Sequence, residues 1–293
     1  MTAVPASLSA RRGALYMSAA AAAWGTGGAA GSLLFQTAGL GPAGVSLWRY
    51  ALGALFLLGI LRLTGGSLPR LSARVVVVGA GMAVYQAAYF AAIERSGVAV
   101  ATVVTMGATP VITELGGRLL LGERSGRTGL LALAAALAGL FLLTGESVLA
   151  GGGRLGGVGF ALLSAAGYAA VTLYSRRHRD DSGAMAVGGF VVGALCLTPF
   201  ALVGGAVPEP SLTTAALLLY LGAVPTALAY ALFFRALTTL RAATVSVISL
   251  GEAVFAAVLG VLLFGERLSV LGWAGCALLT VAVVLPAVRP EQR

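Results

Sequence analysis

Long apolar stretches, separated by short turns rich in glycine, proline and arginine, fill this chain almost from end to end. Each is close to the roughly 20 apolar residues that a helix needs to cross the hydrocarbon core of a bilayer. The pattern predicts ten membrane-spanning helices, called spans 1 to 10 below: 13–36, 43–64, 72–94, 98–121, 127–147, 155–176, 183–206, 212–236, 242–263 and 269–288. We expect short tails at 1–12 and 289–293 and no soluble domain.

The second five spans echo the first five. Leu-Gly-Glu-Arg at 121–124 follows span 4, and Phe-Gly-Glu-Arg at 264–267 follows span 9, 143 residues later. Gly117 and Gly260 match at the same offset. Since five is an odd number, the second copy must enter the membrane from the opposite face, and inverted repeats recur in secondary transporters. We therefore predict an all-α integral membrane protein with ten transmembrane helices in two inverted five-helix repeats, 13–148 and 155–288, around a central cavity.

Composition and the placement of charge sharpen this prediction. Apolar residues make up 59% of the chain and charged residues 10%, against about 25% charged in soluble domains. With a cytoplasmic N-terminus, 13 arginines fall in inside segments and three fall outside, namely Arg95, Arg154 and Arg267. Because cytoplasmic loops carry an excess of basic residues, we predict cytoplasmic termini and a bacterial cytoplasmic (inner) membrane. The net charge of +9 is thus a topology signal and does not indicate nucleic-acid binding.

Polar side chains within the spans are candidate substrate-binding residues, and Glu252 is the foremost. It lies about ten residues into span 9, near the bilayer midplane, where a carboxylate is costly unless it faces a cavity or a partner. One interpretation is that it recognises a substrate ammonium group or carries a coupling proton. The structural alternative is an ion pair with an arginine inside a span, such as Arg49 or Arg235.

Two polar stripes accompany this glutamate. Span 4 carries Thr105 and Thr109 on one helix face, and span 9 carries Ser249 and Glu252 on another. The repeat offset makes Thr109 the counterpart of Glu252, so the stripes predict two walls of one cavity. The alternative is that the hydroxyls bond carbonyls of their own helices or contact an adjacent helix.

Aromatic and amide side chains form a third group, deeper than the interfacial belts in which Trp and Tyr are usually enriched. Its members are Trp24 on span 1, Tyr85, Gln86 and Tyr89 on span 3, Tyr168 and Thr172 on span 6, and Tyr230 on span 8. An aromatic lining suits an amino acid with a bulky side chain or a flat organic cation. The alternative is ordinary helix packing.

Two local features of span 4 and one of span 8 complete the pattern. Pro110 and Pro225 lie inside their spans, where each removes a backbone hydrogen bond and predicts a kink. Glu114 and Arg118 are four residues apart, which favours an ion pair within one helix.

Signatures of other protein classes are missing from the sequence. It has no phosphate-binding loop, no Gly-x-Ser-x-Gly motif, a single histidine and no cysteine cluster. We therefore expect no ATP hydrolysis, no enzymatic activity, no cofactor and no metal site. The expected partners are a small-molecule substrate and the lipid bilayer, with no nucleic acid, and the expected assembly is a monomer or a homodimer.

Three short motifs together are typical of one family of carriers. They are Trp-Arg-Tyr at 48–50, Thr-Pro-Val at 109–111 before Leu-Gly-Glu-Arg, and Gly-Glu-Ala-Val at 251–254 before Phe-Gly-Glu-Arg. Over 13–288 the chain resembles the EamA-type ten-helix carriers of the drug/metabolite transporter superfamily. The aromatic cavity candidates give it a narrower resemblance to YddG-type amino acid exporters. The family resemblance implies that spans 1, 3, 4, 6, 8 and 9 surround the cavity. Ala253 departs from it, since the family often has a proline there.

We therefore predict a secondary active transporter that exports small metabolites, foremost amino acids, including aromatic or other bulky ones, by alternating access. The alternative is an exporter of organic cations, drugs or other metabolites. A non-transporting or lipid-handling membrane protein is the further alternative.

Overall fold

Helices form all the regular secondary structure in the described part of the chain. The computed structural model describes residues 9–63, 71–150, 155–179, 182–265 and 267–288. Its helices are α1 (Ala10–Thr37), α2 (Pro42–Leu63), α3 (Ala73–Leu120), α4 (Arg127–Ala150), α5 (Val158–Arg177), α6 (Ser182–Gly204), α7 (Leu212–Gly222), α8 (Ala229–Leu237), α9 (Ala242–Ser249), α10 (Gly251–Phe264) and α11 (Val270–Val288). A 3-10 turn precedes α5, and a π-helical segment, Ala223–Leu228, joins α7 to α8. Residues 1–8 of the predicted tail at 1–12, the predicted tail at 289–293, Arg154 and Glu266 lie outside the described residues. The rest of the first tail belongs to α1 from Ala10 onwards.

Helix α3 supplies both span 3 and span 4, which the sequence had predicted as separate helices. Its 48 residues would extend about 72 Å if straight, more than twice the thickness of the hydrocarbon core. The hydroxyls of Tyr89 and Thr102 are nevertheless 2.6 Å apart, although a straight helix would separate these residues by about 20 Å. The helix therefore folds back on itself between them and crosses the membrane twice. The break predicted at 95–97 is a bend within continuous helix.

Ten membrane crossings follow from these helices. Seven described segments are long and apolar enough by composition to cross a bilayer, and residues 270–285 form a shorter apolar helix. Helix α1 and the second half of α3, which contain more glycine, threonine and charge, complete the ten. Span 8 comprises α7, the π-helical segment and α8, and span 9 comprises α9 and α10. The predicted fold class, ten helices in two five-helix repeats, is confirmed.

The helices pack as two pseudo-symmetric repeats. Helix α1 packs against α8 and α10, and α5, its counterpart in the second repeat, packs extensively against α3. Helix α2 packs against α7 and the π-helical segment, while its counterpart α6 packs against α3. Helices α2 and α6 contact each other, as do α4 and α11, so each of these pairs joins a helix to its own counterpart. Exchange of the two repeats therefore maps the main helix contacts onto one another.

Each of the two repeated tetrapeptides ends a helix with a glycine in the left-handed conformation. Gly122 follows α3 and Gly265 follows α10, and both have a φ of 66°, in the left-handed region that glycine adopts without a Cβ penalty. Gly265 donates its amide to the carbonyl of Gly260, and Glu123 donates its amide to the carbonyl of Gly117, the matching residue in the first repeat. The sequence echo is thus a repeated helix stop.

Candidate functional site

A central cavity of about 510 Å³ lies between the two repeats. Helices α1, α2, α3, α5, α7, α8 and α10 contribute to its wall, as does the junction of α9 and α10. Ten of the eleven predicted site residues line it: Trp24, Tyr85, Gln86, Tyr89, Thr105, Thr109, Tyr168, Tyr230, Ser249 and Glu252. Thr172 is not among the lining residues, because it is fully buried and its hydroxyl donates to the carbonyl of Tyr168. Span 2 also lines the cavity, although the family resemblance did not include it.

Glu252 lies at an interruption of span 9. Helix α9 ends at Ser249 and α10 begins at Gly251, so Glu252 occupies the first turn of a new helix. The amide of Ala253 donates to the carbonyl of Leu250 three residues back, which marks a tight turn even though Ala253 replaces the family proline. The backbone of this junction therefore places the carboxyl group of Glu252 at the cavity.

Arg49 lines the same cavity from α2, although it was not among the predicted site residues. Its Nε donates to the hydroxyl of Thr226 at 3.3 Å, and that hydroxyl donates to the carbonyl of Leu221 at 2.7 Å. Thr226 belongs to the π-helical segment that contains Pro225, so the predicted disturbance of span 8 positions the group that holds the guanidinium. The sequence did carry a signal for Arg49, namely its position inside a span, because an arginine at that depth is a functional hypothesis by default.

Arg49 and Glu252 do not neutralise each other by direct contact. The two charges interact electrostatically, yet neither side chain forms an ion pair within 4.0 Å with any residue that the structure describes. The structural alternative for Glu252, an ion pair with Arg49 or Arg235, is therefore not realised here. The cavity instead presents a cation and an anion on two separate helices.

The threonine and serine hydroxyls of the two stripes use their protons on the backbone. Thr109 donates to the carbonyl of Thr105, Ser249 to that of Ser246, and Thr105 to that of Ala161 on α5. Backbone bonding, the alternative left open by the sequence, is therefore present. Towards the cavity these hydroxyls offer only acceptor lone pairs, so Arg49 and other nitrogen groups are the principal donors.

Aromatic side chains form one end of the cavity. The hydroxyl of Tyr85 accepts from Tyr50 at 3.1 Å and lies 2.6 Å from the hydroxyl of Tyr230. Trp24 packs edge-on against Tyr230, with ring centroids 5.1 Å apart, and Tyr168 packs likewise against Tyr85 at 5.4 Å. The indole N–H of Trp24 is buried without a hydrogen-bond partner among the described residues.

The cavity extends towards one face of the membrane and is closed towards the other. Its lining continues through Gly28 and Gly31 to Pro42, where α1 ends and α2 begins. On the opposite side lies the largest hydrophobic cluster among the described residues, which includes Met17, Tyr50, Met82, Phe190, Phe233 and Leu237. The structure therefore gives access to the cavity from the face at which α1 and α2 are joined.

A polar network ties the helices together on the closed side. The carboxylate of Glu123, after α3, accepts from Nε of Arg176 on α5 at 2.8 Å and from the amide of Ala242, the first residue of α9, at 3.0 Å. Arg176 also donates to the carbonyl of Leu237 at the end of α8. We call this set the Glu123–Arg176 latch. It joins the first repeat to three helices of the second, whereas the Glu114–Arg118 pair, predicted and confirmed at 2.6 Å, lies within α3 alone.

The fold and the cavity define a class: a multi-pass membrane protein in which two repeats enclose a polar cavity at the middle of the bilayer. Comparison with known proteins gives the family. The EamA-like transporter family model matches residues 11–145 and 155–287, and the chain belongs to this family of the drug/metabolite transporter superfamily.

One relative supports the same assignment, and one solved structure supports the fold. The chain is 32% identical over 219 residues to the uncharacterized transporter YwfM of Bacillus subtilis, covering 72% of each protein. A crystal structure with 22% identity superposes with a TM-score of 0.83, covering 96% of this chain and 99% of the other, and establishes the fold alone. The coarse prediction of a membrane transporter is confirmed, and the resemblance to YddG-type exporters stays a prediction.

Proposed function

We propose that this protein is a secondary active transporter whose substrates are small zwitterions, foremost amino acids with bulky side chains. The observation that carries the proposal is the pair of unneutralised charges, Arg49 and Glu252, on the wall of one cavity. A charge removed from water costs free energy unless a partner compensates it. A ligand that carries both a carboxylate and an ammonium group compensates both charges at once.

The rest of the cavity favours an apolar or aromatic side chain. Trp24, Tyr85, Tyr168 and Tyr230 surround the position that such a side chain would occupy. The volume of about 510 Å³ lies within the usual range of small-ligand sites, about 300–1,000 Å³. These features support amino acids as the substrate class.

Arg49 also separates this proposal from the alternative of organic cation export. A guanidinium that lines the cavity repels a ligand that carries positive charge alone, whereas Glu252 and the aromatic rings would attract it. Cations without a carboxylate should therefore be poor substrates of the wild-type protein. Equal transport of both ligand classes would favour the alternative.

We further propose that transport occurs by alternating access and serves export. Alternating access requires two states, and a cavity that is open at one end and closed at the other corresponds to one of them. The inverted repeats provide a way to reach the other state. The arginine distribution supports a bacterial inner membrane with the closed end of the cavity at the cytoplasm, and in this proposal the cavity is open to the outside. Opening the cytoplasmic end requires separation of the hydrophobic cluster and of the Glu123–Arg176 latch.

Counterflow in proteoliposomes tests the substrate class. Vesicles are loaded with an aromatic amino acid, and uptake of the labelled amino acid is competed with its methyl ester, which lacks the carboxylate charge, and with the analogue that lacks the amino group. We expect strong competition by the zwitterion and weak competition by either analogue. Absence of counterflow with every amino acid tested would contradict the proposed substrate class.

Charge-removing variants assign the two recognition roles. Arg49→Gln should lower affinity for the zwitterion about 10- to 150-fold, the range for loss of a hydrogen bond to a charged group, and remove the preference over the ester. Glu252→Gln should remove the preference over the desamino analogue. Arg235→Gln and Glu114→Gln are the matched controls, because neither side chain lines the cavity. Unchanged selectivity in both cavity variants would refute the roles assigned here.

A further inference from the structure

A second cavity, separate from the central one, lies on the outer surface between the second half of α3 and α5. It encloses about 730 Å³ and is lined by residues within 112–121 on α3 and its end and within 166–178 on α5 and its end. Its margins are exposed, since Leu115 is 54% and Leu119 is 83% accessible. In a membrane-embedded protein this surface faces the lipid.

Small residues between large ones form this groove. Gly116 on α3 and Ala166 and Ala170 on α5 lie along its lining, whereas Leu119 and Leu173 stand beside them. A Cβ added at Gly116 would collide with Leu173, so the two helices approach closely at the base of the groove. The groove is therefore narrow, apolar and built into the contact between the helices.

The length of the groove matches one leaflet of a bilayer. Residues 166 to 178 extend about 18 Å along the helix axis, and half of a hydrocarbon core is about 15 Å. The groove thus runs from the membrane interface towards the midplane. An extended acyl chain has the length and the chemistry to fill it.

The interfacial end of the groove is positively charged. Arg177 and His178 line that end, and Arg177 is exposed and forms no ion pair with any described residue. Arginine binds phosphate through two parallel hydrogen bonds, and basic pockets between transmembrane helices are suited to acidic headgroups. A second copy of this chain would instead bring another basic end against Arg177 in a parallel dimer.

We propose that this groove binds one anionic phospholipid, with an acyl chain between α3 and α5 and the headgroup phosphate at Arg177. The site adjoins the Glu123–Arg176 latch, because Arg176 precedes Arg177 on α5 and its partner Glu123 follows the end of α3. A bound lipid holds these two helix ends together and stabilises the state in which the latch is closed. The inference concerns lipid binding and is independent of the identity of the transported substrate.

Native mass spectrometry of the purified full chain tests the site. The protein is titrated with phosphatidylglycerol and, in parallel, with phosphatidylcholine of the same acyl chains, and bound lipid is counted. We expect one tightly retained phosphatidylglycerol. Arg177→Gln should weaken its binding about fivefold, the effect of one arginine near a membrane surface, and should abolish the preference over phosphatidylcholine. Ala170→Leu fills the groove and should weaken binding of both lipids.

Matched variants keep the test specific. Arg127→Gln removes an exposed arginine on α4, and Ala277→Leu enlarges an exposed alanine on α11, and neither residue lines the groove. Both should bind lipid like the wild type. Equal binding of the two lipids, or equal effects of Arg177→Gln and Arg127→Gln, would overturn the proposal. A dimer that dissociates in Ala170→Leu would also overturn it and would identify the groove as an interface between copies.

Discussion

The Glu123–Arg176 latch yields a quantitative prediction about the transport cycle. The pair joins α3 to α5, and its side chains are only 17% and 8% exposed. In the proposed cycle it must separate before the cavity can open on the closed side. Replacing either residue by glutamine should therefore shift the conformational equilibrium towards the state that is open on that side.

The geometry sets the size of this shift. Loss of one partner from a fully buried ion pair costs about 3–5 kcal/mol, and a hydrogen bond to a charged group contributes about 1.5–3 kcal/mol. Glu123 retains the Ala242 amide in Arg176→Gln and is partly exposed, which favours the lower range. We take about 2 kcal/mol, which corresponds to about a 30-fold change in the ratio of the two states.

Cysteine accessibility measures the ratio of the two states. Ala20 is fully buried in the hydrophobic cluster on the closed side, and Ala20→Cys is introduced after Cys196 and Cys276 have been replaced. A membrane-impermeant thiol reagent is then applied to that side. Labelling should be about 30-fold faster in Glu123→Gln and in Arg176→Gln. The effect of the double variant should be smaller than the sum of the two single effects, because both changes remove the shared Glu123–Arg176 interaction, although each also removes one bond of its own.

Glu114→Gln is the control for loss of a buried carboxylate. Its partners are Arg118 on the same helix and Ser125 in the loop after α3, so Glu114 joins no two helices and labelling should change much less than in the latch variants. Equal labelling in the latch variants and in this control would refute the latch as a gate. Additive effects of the two latch substitutions would show that Glu123 and Arg176 act independently.

Three further predictions follow from local geometry. Thr226→Val removes the hydroxyl that accepts from the cavity arginine, so KM for the zwitterion should rise about 3- to 10-fold in transport assays. Thermal stability should also fall, because the buried carbonyl of Leu221 loses its bond to the same hydroxyl. Gly122→Ala should lower the free energy of unfolding by about 1 kcal/mol, because φ is 66° and an alanine is strained in this conformation. The added Cβ meets no neighbour, so the loss reports the backbone conformation alone. Gly159→Ala is the control: its Cβ also meets no neighbour, but its backbone is ordinary helix, so the free energy of unfolding should not fall. Tyr85→Phe should reduce thermal stability more than Tyr230→Phe, because the Tyr85 hydroxyl bonds two neighbours; the reverse order would contradict this.

Much of the fold was predictable from periodicity and turn residues. Span length, the repeated helix stops at Gly122 and Gly265 and the alternation of arginines together indicate ten helices in two inverted repeats. These signals are local or are repeated along the chain, so they require no knowledge of contacts between helices. The break between spans 3 and 4 was predicted at 95–97, but the sequence did not show that the chain stays helical through it, because Ser96-Gly97 is compatible with a loop as well as with a bend in a helix.

The candidate site, like the fold, was predictable from the sequence only in part. Polarity at membrane depth is visible in the sequence, because an unsatisfied polar group is costly there, and it indicated Glu252, the two hydroxyl stripes and the buried tyrosines. Thr172 is also a polar residue at membrane depth, yet its hydroxyl bonds a carbonyl of its own helix and its side chain does not line the cavity. A helical pattern specifies a face, whereas the neighbour that covers that face depends on packing between distant segments.

The sequence by itself determined that this chain spans the membrane ten times in two inverted halves and carries polar groups at the midplane. Only the tertiary structure decided that Arg49 and Glu252 share one cavity without pairing, that span 9 breaks before Glu252, and that Glu123 reaches Arg176 on the closed side. The physical reason is that hydropathy and helix stops act over a few residues. Charge pairing and cavity shape instead depend on residues that are far apart in the chain, 203 positions for the first pair and 53 for the last.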